Sequence, residues 1–109
     1  DAVAWSAYLD SIASPFVGAF FDIGNHHGYD GAPHWIRTLG HRVVKIDVKD
    51  RDLELDKNCD LFDGDVDWAE VRSALGEIGF TGWATAEVSG GDAQRIRQVA
   101  ERMDVALGL

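Results

Sequence analysis

Three short apolar runs, FVGAFFD, VVKIDV and WATAEV, each reach a carboxylate at or near their end, and each is followed by a segment of helical character. This alternation constrains the chain more than any other feature. Residues 16–21 are apolar on both faces, the pattern of a parallel strand covered on both sides. VVKIDV is β-branched but carries Lys45 and Asp47 in alternation, as a strand half open to water or opening onto a site would. WATAEV is apolar until Glu87. After the first strand comes a glycine-rich turn, then a helix with Pro33 in its first turn and Gly40 as its cap. After the second strand comes a polar loop, then a helix capped by Asp67, with Glu70 reaching back in a capping box and Val66 and Val71 as the hydrophobic staple. After the third, Asp92 caps a helix whose apolar stripe is Ile96, Val99, Met103 and Leu107. A leading helix carries Ala2, Trp5, Leu9 and Ile12 at helical spacing and stops before Pro15. The expected organisation is a leading helix over 1–14 and three β/α units over 15–109, an α/β fold with a parallel sheet and right-handed crossovers.

In such folds ligands bind at the carboxyl edge of the sheet, and Asp22, Asp47 and Glu87 all fall there. Carboxylates brought together repel and raise one another's pKa unless a cation sits among them, so a divalent metal is the economical reading. The alternative is that each is a solvated strand end or helix cap.

Charge points the same way. With 10 Lys and Arg against 19 Asp and Glu, the chain has a formal charge of −9, which repels phosphate backbones and anionic lipid and favours a cation as partner. No apolar run reaches the roughly eighteen residues of a membrane span, and no signal peptide is recognisable, so the expectation is a cytoplasmic protein that binds neither nucleic acid nor membrane. Cys59 is the single cysteine and has no zinc-ligand spacing around it.

The succession DIGN, HWIRTLGHRVVKIDVKD and GDVDWAEVRSALGEIGFTGWATAEV resembles the sugar phosphate isomerase/epimerase family, the xylose isomerase-like TIM barrels. The resemblance runs from about residue 15 onward and implies the carboxy-terminal part of a TIM barrel, its strands six to eight. It implies a metal-dependent 1,2 proton shift, through an enediolate, on a sugar, sugar phosphate or small hydroxy-ketone. On that reading Asp22 is the metal ligand of the sixth barrel strand, and Glu87 is both the ligand of the eighth and a catalytic acid/base group. Asn25 falls where the family places a substrate-contacting His or Asn. The seventh-strand ligand is usually His, and Asp47 stands there; a hard oxygen donor favours Mn²⁺ or Mg²⁺ over Zn²⁺ or Co²⁺. The family's strand-five glutamate has no counterpart in the chain, which implies a partial site completed by missing barrel strands or by self-association. A dehydratase or lyase acting on a cyclitol or keto sugar, and a non-catalytic binding module, are the alternatives in the same fold.

Other features carry less. DGDVD spaces acids as a calcium loop does, but Trp68 stands where the loop needs glycine and Ala74 where it needs glutamate. His26 and His27 are adjacent in the turn and fit a solvated loop, with substrate contact assigned to His26. Lys49 is a candidate substrate contact, and Asp50 either reaches substrate or opens the loop. His34 and His41 are expected at the surface, and Trp35, Trp68 and Trp83 as anchors between helices and sheet.

Overall fold

The computed structural model describes all residues 1–109. Helix α1 (Ala2–Ile12) leads into strand β1 (Ala19–Asp22), and the short helix α2 (Ile23–His27) and helix α3 (Ala32–Leu39) follow. A 3-10 turn at Gly40–Arg42 feeds strand β2 (Val43–Val48). Then come a hairpin of β3 (Asp50–Asp52) and β4 (Lys57–Cys59), helix α4 (Trp68–Glu77), strand β5 (Trp83–Ala86) and helix α5 (Ala93–Leu107). Strands β1, β2 and β5 form one parallel sheet in the order β1-β2-β5. The expected α/β architecture is therefore present.

Helices cover one face of this sheet. Phe21 lies beside Ile46 across β1 and β2, and both are fully buried with Ile23, Ile36, Leu39, Val48, Leu61 and Val71. Each such side chain contributes about 1.5–3 kcal/mol on leaving water. α3 is central to the helical layer, packing against α1 and α4, while α5 packs on α4. Arg37 on α3 clamps Glu77 on α4 with paired bonds of 2.8 Å and reaches Glu70 at 3.2 Å. The Arg37 guanidinium and the Ser73 hydroxyl hold the Glu77 carboxyl down to about 2.

The opposite face is bare, which corrects two expectations. β1 is not covered on both sides, since Phe20 is 49 % exposed, and Phe16, expected in the strand, lies in the turn before it and is 95 % exposed. Trp83 is not an anchor but 83 % exposed, because it lies in a cross-strand row with Phe20 and Lys45 on the side without helices. Lys45 sets its ammonium 3.9 Å from the Phe20 ring centroid. Trp35 and Trp68 are buried as expected.

Local signals fare better. Asp67 and Asp92 accept at 3.0 and 2.9 Å from the backbone N–H three residues on. The reciprocal half of the capping box is absent because Glu70 turns to Arg37 instead. Ile96, in the expected stripe of α5, is 59 % exposed, since that helix meets the body mainly through Ala106, Met103 and Leu107.

Candidate metal centre

The parallel register builds the site. Asp22 lies opposite Asp47, and Asp47 opposite Thr85; two residues beyond Thr85 the pleat returns Glu87 to the same face. The Glu87 N–H donates to the Val48 carbonyl at 3.0 Å, carrying the pairing past the end of β5. One ligand atom from each of Asp22, Asp47 and Glu87 lies within 4.8 Å of the other two. The three residues expected at one sheet edge are therefore brought together, on the bare face. Three hard oxygen donors at this spacing suit a divalent ion of the Mg²⁺ or Mn²⁺ type.

Each acid is held differently. Asp22 also caps α2: its Oδ1 accepts from the Asn25 N–H at 2.9 Å, and its Oδ2 accepts from the Asn25 side-chain amide at 2.7 Å. Asn25 therefore orients an acid of the cluster as well as facing outward. Burial lifts the Asp47 carboxyl above its ordinary value; Lys45, 4.0 Å away, opposes this, and the charges of Glu87 and Asp22 add to it. Glu87 is the most open of the three, its side chain 53 % exposed.

Lys49 enters the same cluster. One residue past the end of β2 and two beyond Asp47, it has its Nζ 2.6 Å from Glu87 and 3.0 Å from Asp22. The residue is only 4 % exposed. Burial alone would lower its pKa, but hydrogen bonds to Glu87 and Asp22 outweigh that and raise it. The sequence gives no hint of this arrangement, since the destination of a long side chain is a tertiary matter.

Asp50 is fully buried and structural. Its carboxylate accepts from the backbone N–H groups of Arg51, Phe62 and Val66 and from the Trp68 indole, at 2.8 to 3.0 Å.

His26 and His27 do not lie in a solvated loop: both belong to α2, because the Asp22 cap turns the glycine-rich segment into helix. The His26 ring packs 4.7 to 5.6 Å, between centroids, from Phe21, Trp5 and Trp35, and its Nδ1 lies 2.8 Å from the Asp22 carbonyl. His27 Nδ1 is buried without a hydrogen-bond partner. His26 and Asn25 line a cavity of about 670 Å³ with Tyr29, Trp35 and Arg51, so the cavity borders the acid cluster at Asn25. Tyr29 and Arg51 have no motif that marks them in the sequence. His34 and His41 are at the surface. Burial and the nearby Asp50, Asp52 and Asp63 push the Cys59 thiol up, which keeps it protonated.

Residues 2–106 match the family model described as "Xylose isomerase-like TIM barrel". The chain belongs to that family. A solved member-like fold is a xylose isomerase domain protein from Alicyclobacillus acidocaldarius subsp. acidocaldarius, similar at 23 % identity with a TM-score of 0.73 over 97 % of this chain. That likeness is one of fold, and the chain spans 43 % of that protein's length. No curated protein matches by sequence. Seen as part of a barrel of this family, the bare sheet face is the one that turns toward the barrel interior, where side chains from successive strands meet. No helix is long and apolar enough to cross a membrane.

Proposed function

We propose that Asp22, Asp47 and Glu87 hold a divalent cation, Mn²⁺ or Mg²⁺ by preference, in a sugar or sugar phosphate isomerase or epimerase of the xylose isomerase-like family, with these residues as the barrel's strands six to eight. The observation that carries this reading is the mutual approach of the three acids to within 4.8 Å. A bound ion supplies Lewis-acid polarisation of a substrate carbonyl. Glu87, open to solvent on one side, would be one of the two acid/base groups of a 1,2 shift through an enediolate. It takes the proton from the carbon beside that carbonyl, and the second group, whose counterpart these residues lack, returns a proton to the former carbonyl carbon while the hydroxyl proton passes from one substrate oxygen to the other. Asn25 keeps Asp22 turned toward the cluster while facing the cavity at α2, which suits a polyhydroxylated small molecule. His26, lining the same cavity, supplies an imidazole edge to that substrate.

A binding module is the second reading, favoured by the double ion pair that already ties Lys49 to two of the acids. Solvent-proton exchange into a panel of ketoses and aldoses in ²H₂O with Mn²⁺ separates the two, run on the chain alone and on a barrel-length protein carrying it. The expected result is exchange in the barrel-length protein that Glu87→Gln abolishes, and none in the chain alone. Exchange that survives Glu87→Gln contradicts the role given to Glu87.

A further inference from the structure

We propose that Lys49 is the resident counter-cation of the acid cluster, and that a divalent ion enters by displacing its ammonium group from Asp22 and Glu87. The proposal rests on the metal reading above. Three carboxylates and one ammonium carry two net negative charges, which a divalent ion would neutralise. The ion and the ammonium nevertheless need the same oxygens. Asp22 Oδ1 is taken by the Asn25 N–H, and Asp22 Oδ2 receives both the Asn25 amide at 2.7 Å and Lys49 at 3.0 Å. Glu87 Oε2 receives Lys49 at 2.6 Å. Asp47 has no hydrogen-bonded partner and only Lys45 at 4.0 Å, so it is the acid left free to receive an ion first. A divalent ion among these oxygens stands a few ångströms from the ammonium, close enough for the two positive charges to repel. Release of Lys49 relieves that repulsion.

The ammonium is placed by the backbone as well as by charge. Gly24, buried at the start of α2, leaves the space through which the Lys49 stem passes: a Cβ there would lie 2.7 Å from Lys49 Cγ. The glycine of DIG and the lysine of VKD thus interlock just past the ends of β1 and β2.

The test is a Mn²⁺ titration of the purified chain, followed by calorimetry, for wild type, Lys49→Met and Lys45→Met. Lys45 has the same charge and stands near Asp47 but touches neither Asp22 nor Glu87, so it controls for the loss of one positive charge. Displacement predicts that Lys49→Met tightens Mn²⁺ binding at least about tenfold, and Lys45→Met by clearly less. It also predicts that Lys49 of the unmutated chain, protected from reductive methylation without metal, becomes reactive at saturating Mn²⁺; this readout needs no variant to fold. Wild-type binding that Lys49→Met leaves unchanged or weakens, or a Lys49 that stays protected under Mn²⁺, overturns displacement and leaves the metal reading standing. Binding by Lys49→Met alone supports Lys49 as the occupant and overturns metal binding by the natural chain. Absence of binding in every form overturns both.

Discussion

The carboxylate of Asp50 accepts a hydrogen bond from the indole N–H of Trp68 at 2.8 Å, both groups buried, and so ties the end of the VKD segment to the GDVDW turn sixteen and more residues on. The same carboxylate takes the N–H groups of Phe62 and Val66. Replacing it strands these donors in the interior, where each unsatisfied group costs about 1–3 kcal/mol. Asp50→Ala is therefore expected to destabilise the fold by about 3 kcal/mol or more, measured by urea unfolding, whereas a loss under about 1 kcal/mol would show that water replaces the carboxylate.

Gly24 makes a second, independent prediction. A Cβ at this position meets Lys49 Cγ at 2.7 Å and the Lys49 carbonyl at 3.1 Å, and the backbone cannot yield as a side chain can. Gly24→Ala should cost about 1–3 kcal/mol, the range of overpacking in a tight interior. Thermal unfolding indistinguishable from wild type would mean that α2 shifts freely over β2.

Acid should loosen α5. Asp60 pairs with Arg95 through bonds of 2.6 and 2.7 Å, and that guanidinium holds the Asp60 carboxyl below the usual range despite burial. A depressed folded pKa contributes stability that is complete above the unfolded value of about 4 and is lost as pH falls through the lower folded value. Asp60→Asn should remove about 1 kcal/mol at neutral pH and flatten the acid limb of the stability profile. An unaltered acid limb would place the acid sensitivity elsewhere, with the Arg42–Asp10 and Arg37–Glu77 pairs next in line.

The bare sheet face predicts association. Phe20 and Trp83 expose large apolar surfaces on this face, as does Phe16 in the turn before β1, and β1 and β5 each have an unpaired edge in the three-stranded sheet, the features that invite contact with another chain. In dilute solution the 109-residue chain is expected to self-associate, and Trp83→Lys with Phe20→Lys should reduce this without loss of helical signal. A monodisperse 11.9 kDa species with a sharp thermal transition would contradict it.

What the sequence makes legible is what is locally encoded. Asp67 and Asp92 announce their helices because a cap is read within three residues, and Asp22, Asp47 and Glu87 can be placed on one edge because strand ends and parallel order follow from the β/α alternation. The hairpin of β3 and β4 escapes, since RDLELDKNC is polar and lacks a clean period of two. Trp83 misleads because burial depends on what covers a face, and nothing within a six-residue window states that. Lys49 and Asp50 are adjacent and similarly polar in sequence, yet one enters the acid cluster and the other the loop core; only the packing around Gly24 and Trp68 separates their fates.

The most direct test of the central claim is manganese binding followed by electron paramagnetic resonance, comparing wild type with Asp22→Asn, Asp47→Asn and Glu87→Gln. Each substitution keeps the side chain's size and removes one anionic ligand. A single ion bound by the wild type, with each variant weaker by at least about tenfold, is the expected outcome. Free Mn²⁺ undiminished by the wild-type chain, or affinity unchanged in all three variants, would contradict a metal centre built from Asp22, Asp47 and Glu87.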